Sequence, residues 1–438
     1  MNDQWEAKLR RLGVVKGTRN LKPTPPPSPP TPTPPANTPH TLPDEPQALT
    51  TLLPGLRLEE NEEGACLVID HVYPLTHEHG GHRVGDLLRF APEAAVPLCG
   101  DPRLTSLRFH DFVFIDTETT GLAGAGTLAF MVGVGFYEGD AFVARQYFLR
   151  DHDDEPAMLQ WLADLLQEKA GLISFNGRTF DLPLIDNRYL MNRMGRMVGA
   201  VREMPHLDLL PPARRLWRQR LGSVALVELE KHLLSLRRTQ EDVPGWLIPR
   251  LYYDYLQHGD GREMARVFYH NRLDLISMAS LAHRLLRQFH DPQPYDDALD
   301  LVSLGKWQKD LNLPDAAEAN LRRALAQQAL PLEGYQRGLA LLADLLKRQE
   351  RREEAVPLWQ QAAVTSYDDV WAHVELAKHY EWHARDLAQA QHWTEEALRL
   401  VNTWSPARAS LVQAELTHRL ARVWRKKQGL GDDESEAA

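Results

Sequence analysis

From Phe112 onward the apolar positions fall into short blocks. "FVFID" (112–116), "TLAFMVGVGFY" (127–137) and "AFVARQYFL" (141–149) are runs rich in β-branched and aromatic residues, separated by short glycine-containing links. Such runs suit buried strands, and the short links favour an antiparallel meander. "DDEPAMLQWLADLLQEKAG" (153–171) changes to a helical period, with Asp153 or Asp154 as cap, Pro156 in the first turn and Gly171 as the stop. "LISF" (172–175) then reads as a short central strand, and "ARVFYHNRLDLISMASLAHRLL" (265–286) has helical spacing again. Between about Leu52 and His110 the runs are shorter and broken by Gly and Pro, "ACLVIDHVYPL" among them. The pattern predicts a small β-rich region over 49–110 and an α/β domain over 111–290.

From about Leu299 strand patterns vanish and a repeat appears. Ala317 and Ala324, Ala355 and Ala362, and Ala390 and Ala397 form pairs seven apart, and the pairs recur after 38 and then 35 residues. Large residues precede the later alanines: Leu321, Trp359 and Trp393. Small residues at fixed places in paired helices let the helices approach closely. The region 299–425 resembles tetratricopeptide repeats on this ground, against a generic amphipathic bundle as the bland alternative.

The N-terminal part is different in kind. Twelve of the 30 prolines lie in "LKPTPPPSPPTPTPPANTPHTLPDEP" (21–46). Proline fixes φ and removes backbone donors, so an extended, disordered linker is expected within residues 1–48. Before it, Trp5, Leu9 and Leu12 share one face of a possible short helix. The tail at 426–438, "GLGDDESEAA" in its last part, is expected to be disordered too. Composition is ordinary for a globular chain of 438 residues: 43% hydrophobic, 25% charged, net charge −10. Two cysteines, Cys66 and Cys99, argue against a disulfide scaffold and fit a reducing cytoplasm. The first residues lack the apolar core of a signal peptide, and no apolar stretch is long enough to span a bilayer as a helix. A cytoplasmic protein without membrane partners is the expectation. "HVYPLTHEHGGH" carries His71, His77, His79 and His82, but their spacing matches no zinc pattern, so a surface or structural role is expected.

The chemistry lies in the acids. Asp116 and Glu118 end a core strand and project from the same face. Two carboxylates so close resist ionising together unless a cation lies between them, and hard divalent cations take such oxygens. Asp181 follows a strand and the turn-like "NGRT", at the strand-end edge of an α/β sheet where active sites gather. Asn176 in that turn is placed to orient a ligand or to shape the turn. Asp274 lies among Leu273, Leu275 and Ile276, and a carboxylate on a core-facing helix is costly unless paired. His270, four residues earlier, lies over it on the same face.

An acid–x–acid strand end, an "N-x-x-x-F-D" turn and a helix with an aromatic or imidazole one turn before Asp together resemble the DEDD superfamily of 3′–5′ exonucleases. "HLDLLPPARRLW", "VELEKHLL" and "VPGWLIPRLYYDY" are similar to stretches of the YprB-like branch of ribonuclease-H-like proteins. The resemblance covers roughly Leu52 to Gln288. It implies a mixed sheet flanked by helices, with Asp116, Glu118, Asp181 and Asp274 binding two divalent metal ions, Mg²⁺ or Mn²⁺. It also implies that the backbone around Thr119 and Thr120 and the side chain of Leu122 seat a terminal nucleotide. The superfamily puts its general base at a Tyr four residues before the last Asp, or a His five before it. Here the two are exchanged, with His270 at the tyrosine spacing and Tyr269 at the histidine spacing. Helix geometry favours His270.

Charge agrees with a polyanionic substrate. Residues 187–238 hold eleven Lys or Arg against four Asp or Glu, a difference of +7 in a chain whose total is −10. "ARRLWRQR" mixes Arg214, Arg215 and Arg218 with Trp217, which suits phosphate contacts. The expected function is a metal-dependent nuclease, a 3′–5′ exonuclease on DNA or RNA. The alternative is a helical-repeat scaffold that recruits a protein partner to nucleic acid, with the α/β domain as a binding module.

Overall fold

The computed structural model describes residues 46–121 and 126–429. The proline-rich linker, the Trp5 helix, Leu122 and the acidic end of the tail lie outside the described residues.

Seven strands form one sheet. In chain order they are β1 (Arg57–Asn61), β2 (Gly64–Pro74), β5 (Phe112–Thr119), β6 (Ala129–Glu138), β7 (Ala141–Phe148), β8 (Gly171–Ser174) and β9 (His206–Asp208). Between β2 and β5 a two-stranded hairpin stands apart, β3 (Glu78–His79) with β4 (His82–Arg83). The spatial order of the large sheet is β1-β2-β7-β6-β5-β8-β9. The meander β5-β6-β7 is antiparallel, as its links require, whereas β8 joins β5 in parallel and β9 joins β8 in parallel. β2 pairs with β7 along its length, so the region before Phe112 contributes two strands to the central sheet. β9 is only three residues long and carried no legible pattern in "HLD".

Helices flank the sheet. α1 (Glu155–Gln167) and α2 (Asp181–Met191) pack with β2 and α5 (Ile248–His258) in one core. α3 (Leu210–Leu221), α4 (Leu226–Leu233) and the second half of the long α6 (Arg262–His290) share another with the segment before β5. Two local expectations need correction. Asp154 does not cap α1 with its side chain. It grips Arg150 at 2.7–2.9 Å, while Asp151 caps the single 3₁₀ turn before the helix. Gly171 does not stop α1, which ends at Gln167. It opens β8, where a Cβ would lie 2.5 Å from the Phe112 ring.

Beyond residue 297 the chain is helical: α7 (Ala298–Asp310), α8 (Pro314–Leu325), α9 (Leu332–Arg348), α10 (Arg352–Thr365), α11 (Trp371–Trp382), α12 (Leu387–Val401) and α13 (Pro406–Lys427). The six repeat alanines lie on α8, α10 and α12, the second helix of each successive pair, and all are buried. Trp359 is buried with them. Small side chains at these points admit the facing helix, which is the reason for the period. The first pair is tied to the α/β part. Arg220 of α3 holds the buried Asp300 of α7 through two bonds of 2.8 Å, and Trp307 lies in the same core as Leu216 and Trp217. Among the described residues no helix is long and apolar enough to cross a membrane.

Candidate active site

The acids gather where β5 and β8 end and α2 and α6 pass. β5 delivers Asp116 and Glu118 from one face, α2 begins at Asp181, and α6 brings Asp274 and His270 one turn apart. All four acids are buried or half-buried. Burial, then the charges of Asp274, Glu118 and Asp181, push the Asp116 pKa well above the usual carboxylate range. Burial also raises Glu118 to about 8, with Asp274 and Asp181 adding to the effect. Asp181 rises to about 6 through burial, held back by its hydrogen bonds. The four therefore share one electrostatic neighbourhood.

They are not clustered as tightly as a closed metal site. Among the described residues no three of these acids bring ligand atoms within 4.8 Å of one another. Each of three has a protein donor instead. Asn271 Nδ2 donates to Asp116 Oδ2 at 2.8 Å, Thr117 Oγ1 donates to Asp181 Oδ1 at 2.5 Å, and Arg238 donates to Asp274. Like charges that close separate toward whatever donors the walls offer. The donor set is carboxylate oxygen throughout, and buried acids with raised pKa values mark a place where positive charge is favoured. That chemistry fits hard divalent cations.

The surrounding residues explain the placement. Asn271, fully buried on α6, is locked by Gln146, whose Nε2 donates to its Oδ1 at 2.9 Å. Gly133 lies opposite Asp116 on β6, and a Cβ there would be 2.1 Å from Asn271 Oδ1, so only glycine leaves room. At the second motif, Asp208 at the end of β9 accepts from the backbone N–H of Asn176 at 2.8 Å and of Arg178 at 3.2 Å. Asn176 has φ 71°, and its side-chain oxygen accepts from Thr179 Oγ1. The turn that aims Asp181 is thus held by an acid 27 positions later in the chain (208 − 181).

His270 Nδ1 lies 2.7 Å from Asp242 Oδ1, and its Nε2 is 3.6 Å from Asp274 Oδ2. Burial alone would lower its pKa; the Asp242 hydrogen bond and the charges of Asp274 and Glu118 prevail and raise it to about 9. A carboxylate lies on each side of the ring, and this favours its cationic form while no metal is bound. Tyr269 points elsewhere, its hydroxyl 3.4 Å from Thr239 Oγ1 and its ring under Arg272. Arg238 is the largest feature that sequence reasoning missed. It binds Glu230 through two bonds of 2.7 Å, lies 3.6 Å from Asp242, and reaches Asp274 and His270. The only signal was an Arg-Arg pair in a polar stretch.

A cavity of about 520 Å³ opens beside the acids, lined by Asp116, Asp274, Phe175, Asn176, Arg214 and Arg218 among others. Arg214 and Arg218 are therefore brought to the site. Arg215 is not: it lies over the Trp307 ring at 5.3 Å, against α7. Trp217 is fully buried and donates to Gln288, so it offers no stacking face. The reason is helical period, since positions 214 and 218 are one turn apart and 215 and 217 point away from them. Thr119 and Thr120 shape the strand end. Thr119 Oγ1 donates to Gly121 O, and Thr120 Oγ1 accepts from Leu128 N.

Comparison with known proteins agrees with this architecture. Residues 113–286 match the RNase H superfamily. The chain is 30% identical over 380 residues to YprB of Bacillus subtilis (strain 168), covering 83% of this chain and 87% of that protein. The chain belongs to the YprB family of ribonuclease-H-like proteins. Membership in that superfamily suggests nuclease-type activity on nucleic acid and dependence on a divalent metal.

Proposed function

We propose that the protein is a metal-dependent nuclease, a 3′–5′ exonuclease of DNA or RNA that uses two divalent ions, Mg²⁺ or Mn²⁺. The observation that carries this reading is four carboxylates from three separate motifs sharing one buried neighbourhood, with an arginine-lined cavity beside it. Asp116, Glu118, Asp181 and Asp274 would hold the ions. When bound, such ions activate water and stabilise the leaving oxygen of a phosphodiester. The protein's own groups do the rest. Arg214 and Arg218 attract the phosphate backbone to the cavity. Asn271 fixes the Asp116 carboxylate, and Asp242 fixes the His270 ring so that Nε2 faces the Asp274 side. As the imidazolium, His270 orients water or donates a proton; it takes a proton only in its neutral form. Thr119 and Thr120 set the strand end on which a terminal nucleotide would rest, and Asn176 would face it from the opposite wall.

The test is a panel of 5′- and 3′-labelled single-stranded and duplex DNA and RNA, with Mg²⁺ or Mn²⁺, comparing wild type with Asp116→Ala. Shortening from the 3′ end that disappears in the variant is the expected result. Wild-type protein inert on every substrate and with both metals would remove the reading.

A second reading rests on the helical region, which we take as tetratricopeptide-like. A pocket of about 400 Å³ is lined by Lys347, Arg352, Lys378, Arg419 and Trp382, together with Glu375, which Lys347 and Lys378 hold. Its basic and aromatic walls suit a protein partner with an acidic segment. Loss of partner capture by the full chain on Lys378→Glu, with nuclease activity intact, is the result that favours it.

A further inference from the structure

Away from the acids, the long helix α6 contacts the hairpin before β5. Its residues Ser277, Ser280 and His283 recur every third position and face the β3–β4 hairpin and the 3₁₀ helix that follows it, Val84–Arg89. His79 Nε2 lies 2.8 Å from Ser277 Oγ, and Ser280 Oγ donates to His79 O at 3.0 Å. At the next step, His283 meets His82 edge-on, ring centroids 5.0 Å apart, and Asp86 completes a group of three.

We propose that His82, Asp86 and His283 form a binding site for a borderline transition-metal cation, zinc in the first instance, separate from the four acids. One ligand atom from each of the three lies within 4.8 Å of the others. Two imidazoles and one carboxylate, leaving a fourth position to water, are the donors zinc takes in open tetrahedral sites. The second observation is independent of the spacing: His283 Nδ1 is buried and has no hydrogen-bond partner. A buried imidazole nitrogen left unpaired is costly unless something accepts its lone pair or proton.

The charges facing the group are Asp86 itself and three arginines. Arg284 and Arg287 are engaged by the buried Asp296, and Arg89 is largely exposed and pairs with Asp86 Oδ1 at 3.2 Å. Asp86 Oδ2 also accepts the backbone N–H of Arg83 at 2.9 Å, which fixes the carboxylate rather than blocking it. The consequence is a clasp. The ion would pin the 78–89 segment to α6 at His283, nine residues and about 13 Å along the helix from Asp274. It would steady the helix that carries Asp274 and His270 without taking part in phosphodiester chemistry.

The experiment uses the full-length chain stripped with chelator and titrated with Co²⁺ as a spectroscopic stand-in for zinc, alongside elemental analysis after zinc loading. The expected result is about one tightly held equivalent with the d–d bands of a tetrahedral, nitrogen-containing site. Asp116→Ala should retain it, and His283→Ala should lose it. His82→Asn, on the half-buried β4 strand of the hairpin, is the companion variant should His283→Ala not fold. Bands that persist in both histidine variants, or vanish in Asp116→Ala, would place the ion elsewhere and overturn the proposal. So would the absence of any tight site in the wild-type chain.

Discussion

Arg238 offers the sharpest test of how the site is built. Its side chain is 8% exposed and that of Glu230 only 2%. The two form a parallel pair of 2.7 Å bonds, and the same guanidinium reaches Asp274. Arg238→Met keeps most of the volume and removes the charge, so Glu230 is left buried without its partner. Breaking one side of such a buried pair costs about 3–5 kcal/mol, because the surviving charge remains desolvated. At about 2–4 °C per kcal/mol for a domain of 150–250 residues, the melting temperature should fall on the order of 10 °C. Glu230→Gln in the same chain removes the orphaned charge, and the double variant should recover most of the loss. Urea denaturation of wild type, both single variants and the double variant gives the coupling energy directly. If Arg238→Met costs no more than a surface substitution, about 0.5 kcal/mol, or if the two changes simply add, the guanidinium does not hold this wall.

Four further outcomes follow from the same geometry. Asp116→Asn should reduce nuclease turnover by roughly 10²–10³-fold or more while leaving stability equal or higher, since it removes a buried charge held against three others; parallel rate and melting measurements check both halves. Glu118 and Asp181 have folded pKa values raised to about 8 and about 6, and His270 is raised to about 9. In each case the folded state binds more protons than the unfolded chain, so metal-free stability falls as pH rises from about 4 toward 9, and added Mn²⁺ should raise the melting temperature more at pH 8 than at pH 6; an equal shift at both pH values counts against binding to the ionised acids. Gly133→Ala should cost about 1–3 kcal/mol and lower activity, because the new Cβ meets Asn271 Oδ1, and a crystal structure with Asn271 and Asp116 undisturbed would contradict this. Arg214→Ala with Arg218→Ala should weaken nucleic-acid binding and shallow its salt dependence by about 1 unit of slope per lost phosphate contact, whereas Arg215→Ala should leave the slope unchanged, as filter binding across a salt series would reveal.

Much of this protein is legible in its sequence. The apolar runs gave the meander β5-β6-β7 and the strand β8, because a buried strand needs continuous apolar faces and a short link permits only antiparallel return. The recurring alanines marked the second helix of each pair, because close approach tolerates only small side chains there. The four acids were legible as residue types in a fixed order. Their motifs are local, and each side chain's facing follows from strand or helix period alone.

What surrounds them was not legible, since it depends on which distant segments meet. The pairing of Arg238 with Glu230 and Asp274, the lock of Gln146 on Asn271, and the hold of Asp208 on the Asn176 turn all join residues from separate elements. The pairing of His82 with His283 likewise brings together the β3–β4 hairpin and α6, elements about 200 positions apart in the chain. A sequence fixes period and polarity along each element, but pKa values, ion-pair partners and ligand sets are set by distances across the fold. That is why the order and facing of the acids could be read along the chain, and only the tertiary structure decided that His270 lies between Asp242 and Asp274, that Arg215 belongs to the α7 contact, and that Arg238 stands against Asp274.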